Sequence, residues 1–419
     1  MKVLHINTRD YGGAAIAAIR LHKALLDEGV DSTMLFLEQS DPDIPSAIGF
    51  REEGETHSNY LIRKAGSIKK KILHGFSQSQ KNEVKLKNRE KGLEMFSFNP
   101  SDCEVSSHPA YRESDVIHLH WTARFLDFRS FQRMRKPVIW TLHDMNPFTG
   151  GCHFSRGCTN YQTECKDCPQ LAGTKDLNNA WINQEYKRKN LKGISPVITA
   201  PSNWMKSCSD KSLLFRDYKS ICIPNSVDLE TYKPLDKQFC REALNWPVDK
   251  RILLFVSEEI DYPRKGFDLL INAKSGISAS DFLIFVIGMT GMPEISIPGI
   301  VYKGKIKDER LMALAFNAAD TVVIPSREDN LPNVMLESLA CGTPVISFPV
   351  GGMPDVIIKG FNGFLAEEVT PESLAKTITV FLENRGIFKR DDIRNHAEKL
   401  FSPTAKASAY IRLYKEMLN

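Results

Sequence analysis

The sequence predicts an α/β protein built from two doubly wound, Rossmann-like halves. Short apolar runs alternate with amphipathic helical stretches along the chain. Many of the runs are apolar at every position, as expected for parallel strands that are buried on both faces. Strands that alternate with helices favour parallel sheets with helices on both sides. A chain of 419 residues is long enough for two such domains, each with its own core.

Ten apolar runs are predicted to be strands. In the first half they are Val3–Asn7, Thr33–Leu37, Val116–His120, Val138–His143 and Val197–Pro201. In the second half they are Ile252–Ser257, Phe282–Gly288, Ile300–Gly304, Thr321–Pro325 and Pro344–Phe348.

The domain boundary is predicted within 223–236, where IPNSVDLETYKP supplies loop and turn residues. The first domain then covers 1–222, with an insertion at 50–98 and a cysteine loop at 150–170, and the second covers 223–402. Residues 403–419 read as a helix that packs back on the first domain. Its predicted buried face is Ala407, Tyr410, Leu413, Tyr414 and Met417.

Composition narrows the class of protein. The formal net charge of +4 is small for this length and does not indicate nucleic-acid binding. The sequence contains no run of about 18 apolar residues, so it predicts no membrane-spanning helix. The opening MKVLHIN reads as a first strand and not as a signal peptide, so we expect a cytoplasmic protein.

The segment 61–91 is strongly basic, with ten Lys or Arg opposed only by Glu83 and Glu90. Its first part, 61–76, can be written as an amphipathic helix with an apolar side. Such a helix can lie on an anionic membrane surface, which would make the protein peripheral on the inner face of the plasma membrane. The alternative is a solvated insertion.

The stretch 325–349, PSREDNLPNVMLESLACGTPVISFP, holds the strongest functional pattern. A strand ends in a polar loop, and a helix follows that stops at Gly342. Ligands of open α/β sheets bind at this edge, and a helix N-terminus there suits a diphosphate. Asp329 and Glu337 are separated by seven residues. Glu337 suits ribose hydroxyls, and Asp329 suits a sugar ring.

This stretch resembles the signature of retaining glycosyltransferases of family 4, which have the GT-B fold of two Rossmann-like domains facing across a cleft. Glu337 matches the second acid of the signature, and Asp329 stands where the family usually has Glu. The resemblance implies that the main-chain amides of Asn330 and Leu331 hold the transferred sugar or phosphate. It also implies that Asp329 is a catalytic residue.

Further matches surround the signature. Lys265, in Pro-Arg-Lys-Gly-Phe, takes the position of the family's lysine against the donor diphosphate. Arg264 stands for an arginine that relatives carry slightly upstream, or else forms a solvated surface pair. Lys305 and Ile306 resemble the segment whose backbone meets the base. The turn 351–355 either matches the Gly-Gly-x-x-acid turn of the family or is an ordinary turn.

In the first half, Gly12 and Gly13 follow strand one and resemble the family's glycine loop near the donor phosphates or the acceptor. His143 ends another strand, where relatives have a histidine that meets the donor sugar, so we predict it as a catalytic residue. His118 and His120 are predicted to be structural.

The resemblance implies a retaining enzyme that needs no cofactor for its chemistry. We expect transfer of a hexosyl-type sugar, with a UDP-sugar favoured over a GDP-sugar, to a glycan or a polyprenyl-diphosphate-linked acceptor. The expected context is a bacterial surface polysaccharide (exopolysaccharide, capsule or O-antigen). A nucleotide-sugar epimerase and a non-catalytic nucleotide-sugar-binding protein of the same fold are the alternatives.

Nine cysteines are unusual for a cytosolic enzyme. Five are scattered and predicted to be small buried residues: Cys103, Cys208, Cys222, Cys240 and Cys341. The other four, Cys152, Cys158, Cys165 and Cys168, have the spacing Cys-x5-Cys-x6-Cys-x2-Cys, which suits a structural zinc site. Disulfides, an iron–sulfur cluster and free thiols are the alternatives, and His153 could replace one ligand.

Overall fold

The computed structural model describes residues 1–50, 77–277, 281–290 and 297–419. The amphipathic helix predicted over 61–76 lies outside these ranges. The chain divides into two compact units. The first unit is Met1–Ala200, Lys206–Cys222 and Tyr410–Asn419, and the second is Pro201–Met205 and Ile223–Ala409.

Among the described residues, the first unit holds a seven-stranded sheet in the order β3-β2-β1-β4-β5-β6-β7. The strands are β1 Lys2–Arg9, β2 Asp31–Glu38, β3 Ala47–Gly49, β4 Val116–Leu119, β5 Val138–Thr141, β6 Val197–Ala200 and β7 Ser220–Cys222. All the pairings are parallel, and the order reverses direction between β1 and β4. This reversal is the topological switch point of a doubly wound sheet.

Helices connect these strands. The α-helices are α1 Gly13–Asp27, α2 Gln78–Lys85, α3 Pro109–Glu113, α4 Asn179–Leu191 and α5 Asn203–Lys211. Short 3-10 helices lie at Val105–Ser107, Phe128–Gln132, Asn146–Phe148, Asn160–Gln162 and Pro169–Leu171. Between β5 and α4 the chain therefore runs through turns and 3-10 helices only.

In the described part of the second unit, six strands pair in the order β10-β9-β8-β11-β12-β13, again all parallel. They are β8 Arg251–Glu259, β9 Phe282–Met289, β10 Ile300–Tyr302, β11 Thr321–Ile324, β12 Val345–Ser347 and β13 Gly363–Leu365. The α-helices are α6 Lys237–Ala243, α7 Phe267–Lys274, α8 Glu309–Ala318, α9 Asn333–Ala340, α10 Pro371–Asn384, α11 Arg390–Phe401 and α12 Pro403–Leu418. The 3-10 helices are Pro263–Lys265, Met353–Asp355 and Arg385–Ile387.

The apolar runs form strands because both faces of each sheet are covered. In the second unit, Leu254 and Val322 lie in one apolar cluster, while Leu253 and Val323 lie in another. Alternate residues of the same strand thus enter opposite cores, so polar positions are rare in these strands.

The predicted fold class and all ten predicted strands are confirmed. The sequence pattern missed β3, β7 and β13, which have three residues each and lie at sheet edges.

The cysteine prediction was wrong in part. Cys240 and Cys341 are buried as expected, but Cys103, Cys208 and Cys222 are only half-buried. They lie close to the surface, so they are not core residues.

Helix α12 forms with the predicted bounds and crosses from one unit to the other. Ala407, Tyr410, Leu413 and Tyr414 are buried, whereas Met417 is half-buried. In the first unit the Tyr414 hydroxyl lies 2.7 Å from His118 Nδ1, and the Tyr410 hydroxyl lies 3.1 Å from Thr141 Oγ1. None of the described helices is both long enough and apolar enough to cross a membrane.

Candidate functional site

The loops that follow β8 and β11 meet at one edge of the second sheet. These strands are parallel neighbours, so their carboxyl ends lie side by side. Lys265 Nζ lies 2.7 Å from Asp329 Oδ2, and Arg264 Nη1 lies 3.4 Å from Asp329 Oδ1. The Ser326 hydroxyl lies 3.2 Å from Asp329 Oδ2. The structure thus brings three of the predicted site residues into one cluster.

Asp329 is held as a carboxylate. Burial raises its pKa, but the charges of Lys265 and Arg264 outweigh burial, and the pKa falls to about 2. The Arg264 side chain is only 11% exposed, so it is not the solvated surface pair that the sequence left open. Lys265 is 27% exposed, which leaves its ammonium group in contact with solvent.

Backbone contacts join the two loops. The Arg327 N–H donates to the Arg264 carbonyl at 2.8 Å, and Arg264 Nη1 donates to the Glu328 carbonyl at 2.8 Å. Gly266 has a φ of 70°, and a Cβ there would overlap the Pro325 carbonyl. Glycine is therefore required for this close approach of the loops.

A second turn with two glycines, Gly351 and Gly352, packs against the loop that carries Asp329. Gly351 has a φ of 56°, and a Cβ there would overlap the Asp329 carbonyl oxygen. The Gly352 N–H donates to the Asn330 carbonyl at 2.7 Å. The sequence suggested this turn as a family feature or an ordinary turn, and it was not among the predicted site residues. Its position against Asp329 shows that it shapes the site.

The two predicted amide donors differ in their surroundings. The Asn330 N–H donates to Asp329 Oδ1 at 3.1 Å, and the Asn330 side chain accepts from the Ser202 hydroxyl at 2.7 Å. Leu331 is 5% exposed and packs in the apolar core. In this structure Asn330 thus orients the Asp329 carboxylate.

Glu337 lies on α9 and is 7% exposed. The helix begins after Pro332 and ends in a Schellman motif, with Gly342 at a φ of 73° and the Thr343 N–H donating to the Ser338 carbonyl at 2.9 Å. The predicted stop of this helix is confirmed. The motif fixes the end of α9 and therefore the position of Glu337 along this helix.

Lys305 and Ile306 follow β10. Lys305 Nζ lies 3.2 Å from Glu258 Oε1, at the end of β8. Ile306 is partly buried against the apolar core. Glu258 therefore forms an ion pair with Lys305.

In the first unit, Gly12 is the N-cap residue of α1, and Gly13 is the first residue of that helix. Gly12 has a φ of 87°, which favours glycine, and its carbonyl accepts from the Ile16 N–H at 3.0 Å. The predicted glycine loop therefore opens a helix directly after β1.

His143 follows β5 and ends a chain of hydrogen-bonded histidines. His143 Nε2 lies 3.1 Å from His120 Nδ1, and His120 Nε2 lies 2.9 Å from His5 Nδ1. Burial lowers the pKa of His143 to about 4, although the Asp144 carboxylate opposes this. A neutral imidazole at this position can donate or accept a hydrogen bond but carries no charge at neutral pH.

His118 and His120 are buried, as their predicted structural role requires. Their rings stack with centroids 4.2 Å apart, and burial lowers the pKa of His118 to about 3. The sequence missed the contribution of His5, because only the register of β1 against β4 places it beside His118.

The cysteine loop brings its four thiols to one cavity of the first unit. His153 does not line this cavity. Its Nδ1 lies 2.6 Å from Asp144 Oδ2, and its Nε2 lies 3.0 Å from the Ser97 hydroxyl. His153 is therefore engaged away from the four thiols.

Residues 250–384 match the family model described as Glycosyl transferases group 1. The D-inositol 3-phosphate glycosyltransferase of Geodermatophilus obscurus is 25% identical over 309 residues, which are 68% of this chain and 62% of that protein. The chain thus spans less than two thirds of that relative. The putative colanic acid biosynthesis glycosyl transferase WcaC of Escherichia coli K12 is 23% identical over 386 residues, 88% of each chain.

Two solved structures share the fold. Sucrose-phosphate synthase from Thermosynechococcus elongatus aligns with a TM-score of 0.68 at 19% identity, over 100% of this chain and 99% of that one. Anabaena Alr3699/HepE in complex with UDP-glucose aligns with a TM-score of 0.64 at 16% identity, over 99% and 100%. The predicted resemblance is confirmed: residues 250–384 match the group 1 glycosyl transferase family model, and the α/β fold is similar to that of GT-B glycosyltransferases.

Proposed function

We propose that the chain transfers a hexosyl-type sugar from a nucleotide-sugar donor to a glycan or lipid-linked acceptor, with retention of anomeric configuration. The observation that carries the proposal is the placement of Arg264 and Lys265 beside Asp329. Two cations face one carboxylate, so the cluster keeps a net positive charge that suits a diphosphate. The matched family segment contains all three residues.

The chemistry follows from these charges. The bond from the sugar C1 to the donor diphosphate breaks, and a bond from C1 to an acceptor hydroxyl oxygen forms. The hydroxyl proton goes to the leaving diphosphate. Lys265 and Arg264 stabilise the charge that develops on this leaving group, which removes the need for a metal ion. Asp329, ionised at neutral pH, accepts hydrogen bonds from sugar hydroxyls, and Glu337 accepts them from the ribose.

A UDP-sugar is our preferred donor. The HepE structure was solved with UDP-glucose, and its fold matches this chain over nearly its whole length. For the acceptor we propose a growing glycan on a polyprenyl diphosphate, in the synthesis of a bacterial surface polysaccharide. The name of the relative WcaC, which refers to colanic acid biosynthesis, supports this context.

A thermal-shift screen tests the donor site. UDP and UDP-glucose should raise the melting temperature more than GDP and GDP-mannose do. Lys265→Ala should remove the shift, because the ammonium group would contact the diphosphate. Lys376→Ala is the matched control, since Lys376 is 73% exposed in a surface pair with Glu367. A wild-type protein that no nucleotide stabilises would contradict the proposal.

Product analysis then separates the classes of activity. A transferase releases UDP only when an acceptor is present and yields a product with the donor's anomeric configuration, which NMR reads directly. Conversion of the UDP-sugar into its epimer without acceptor would assign the chain to the epimerases. Binding without turnover across a donor and acceptor panel would make it a nucleotide-sugar-binding protein.

We also propose that the basic segment 61–91 attracts the protein to anionic membranes, where lipid-linked acceptors reside. Of its described part, Lys81, Lys87 and Lys91 are exposed, whereas Arg89 points inward and donates from Nε to the Gln170 carbonyl at 2.6 Å. Vesicle flotation with anionic and with neutral lipids tests this. Binding that is equal for both lipids, or that does not fall with added salt, would contradict it.

A further inference from the structure

The turns between β5 and α4 gather four thiols around one cavity of the first unit. The cavity is lined by Cys152, Cys158, Cys165 and Cys168, among others. Three of these residues are 6–8% exposed, and Cys158 is half-buried. A stretch of irregular backbone that buries four polarizable ligands is the usual setting of a structural metal site.

Backbone N–H groups are directed at two of the sulfurs. The N–H groups of Gln170 and Leu171 both hydrogen-bond to the Cys168 sulfur, and the Gly150 N–H does so to the Cys165 sulfur. Hydrogen bonds to the charged form of a group stabilise that form. Burial nevertheless raises the pKa of Cys152, Cys165 and Cys168, so these thiols are protonated without a metal ion, and metal binding must release their protons.

Two cations accompany the cluster. Lys187 is fully buried, and its ammonium group donates to the Asn146 and Thr149 carbonyls, close enough to Cys152 and Cys165 to interact electrostatically. Arg89 interacts in the same way with Cys168. Four thiolates around a divalent ion carry a net charge of minus two, and these two cations balance it. The Asp144 carboxylate is a further anionic group that interacts electrostatically with Lys187.

We propose that Cys152, Cys158, Cys165 and Cys168 bind one zinc ion in a closed tetrahedral site. Zinc lies about 2.3 Å from its sulfur ligands, so the sulfurs of such a site are close neighbours. In the structure they line the cavity but do not form a group within 4.8 Å of one another. Binding therefore draws the thiol side chains inward by rotation about their Cα–Cβ bonds.

A competing group of metal-ligating atoms fits less well. In the described ranges, the ring nitrogens of His5, His118 and His120 do lie within 4.8 Å of one another. His118 already contacts Tyr414 and Thr141 through its two nitrogens, and His120 contacts His5 and His143. A metal ion there would break these buried hydrogen bonds, whereas the four thiols lose only weak ones.

The zinc ion would also position the end of β5. Cys152 directly precedes His153, whose ring bridges Asp144 and Ser97. Asp144 further accepts from Trp121 Nε1 at 2.6 Å and neighbours His143 in the chain. Holding Cys152 thus holds the network around His143, although the metal itself takes no part in the transfer.

Metal analysis of protein purified without an affinity tag tests the site on the intact chain. We expect about one zinc ion per chain. Removal of the zinc by a chelator should lower the melting temperature, because the metal stabilises the fold. Iron in stoichiometric amount would overturn the assignment in favour of an iron–sulfur cluster. Alkylation under denaturing, non-reducing conditions followed by mass measurement detects disulfides, and disulfides or four metal-free thiols would overturn it as well.

Variants locate the site. Cys165→Ser with Cys168→Ser should abolish zinc binding, whereas Cys103→Ser with Cys208→Ser should leave it unchanged. Lys187→Met should weaken zinc affinity about 10- to 100-fold, since groups next to metal ligands typically contribute that much. Lys189→Met is the control, because Lys189 is exposed on the same helix. Equal zinc affinity in both lysine variants would refute the charge argument, even if the cysteine variants fail to fold.

Discussion

Lys265 and Asp329 form an ion pair, with 2.7 Å between Nζ and Oδ2, across two loops of the second unit. The pair is largely shielded from water, since the lysine side chain is 27% and the aspartate side chain 9% exposed. A donor diphosphate would therefore meet a lysine that is already oriented by a carboxylate. Such orientation lowers the entropy that is lost when the cation contacts phosphate.

Asp329→Asn keeps the shape of the side chain but removes the charge that Lys265 and Arg264 share. We expect the free energy of unfolding to fall by about 1.5–3 kcal/mol at pH 7, as for loss of hydrogen bonds to a charged group. Urea unfolding measures this change. Asp268→Asn breaks the exposed pair with Arg327 beside the same loops, and it should cost less than about 1 kcal/mol. Equal losses in both variants would show that burial of Asp329 adds nothing.

The four linked histidines predict how stability depends on pH. The pKa values of His5 and His120 are lowered well below 6.5 by burial, that of His118 to about 3 and that of His143 to about 4. The unfolded chain takes up protons below pH 6.5 while these groups stay neutral in the folded protein, so stability falls as pH drops from 6.5 towards 4. Above pH 6.5 these groups contribute no slope.

Melting temperatures between pH 8 and pH 4.5 check this dependence. His143→Gln should flatten part of the slope, because one titrating group is removed. His396→Gln is the comparison: His396 belongs to the second unit and is less buried, so its own lowered pKa should give a smaller flattening than His143→Gln does. A wild-type melting temperature that stays constant from pH 7 to pH 5 would mean that these histidines are already protonated or open to water.

Gly351→Ala should distort the loop that carries Asp329 in the proposed donor site. The added methyl group would overlap the Asp329 carbonyl oxygen at a φ of 56°, so the loop must shift. We expect a lower melting temperature and loss of the thermal shift with UDP. Gly360→Ala separates backbone strain from steric overlap. Gly360 also has a positive φ, 75°, but the nearest atom to an added Cβ would be 3.8 Å away. That control should cost about 1–2 kcal/mol and keep nucleotide binding.

Tyr414→Phe removes the hydroxyl that lies 2.7 Å from His118 Nδ1. His118 then keeps a buried polar nitrogen without this partner, which should cost about 1–3 kcal/mol of unfolding free energy. Tyr218→Phe is the control, since its hydroxyl makes a longer, half-buried contact of 3.4 Å with the Leu191 carbonyl. Chemical denaturation of both variants is the measurement, and a smaller effect for Tyr414→Phe would contradict the structure.

The sequence alone predicted the fold class and the strands, because buried parallel strands leave an unbroken apolar signal. It also predicted the end of α9 from its stop residue, Gly342. It assigned Lys265 and Asp329 separate roles but not their ion pair, since the two residues are 64 positions apart. Only the pairing of β8 with β11 brings them together.

Other contacts escaped prediction for the same physical reason. The support of Asp329 by Gly351 depends on where two turns meet, and a pair of glycines gives no sign of its neighbour. His5 joined the histidine chain only through the register of β1 against β4. The sequence pattern also gave no sign that Phe154 and Tyr161 of the cysteine loop, and Phe148 and Leu171 beside it, are buried. Aromatic residues that are spread singly through a polar sequence form no apolar run, so a core built from them gives no periodic signal.

The hydrogen bonds of Tyr410 and Tyr414 set an order of events during synthesis. Both tyrosines complete the first unit, yet the ribosome adds them after every residue of the second unit. The first unit therefore cannot be completed while the intervening residues are translated, and His118 and Thr141 lack these hydrogen-bond partners during that time. A nascent chain halted before Tyr410 should hold its first sheet less tightly, and hydrogen exchange of stalled chains would record when β4 and β5 become protected.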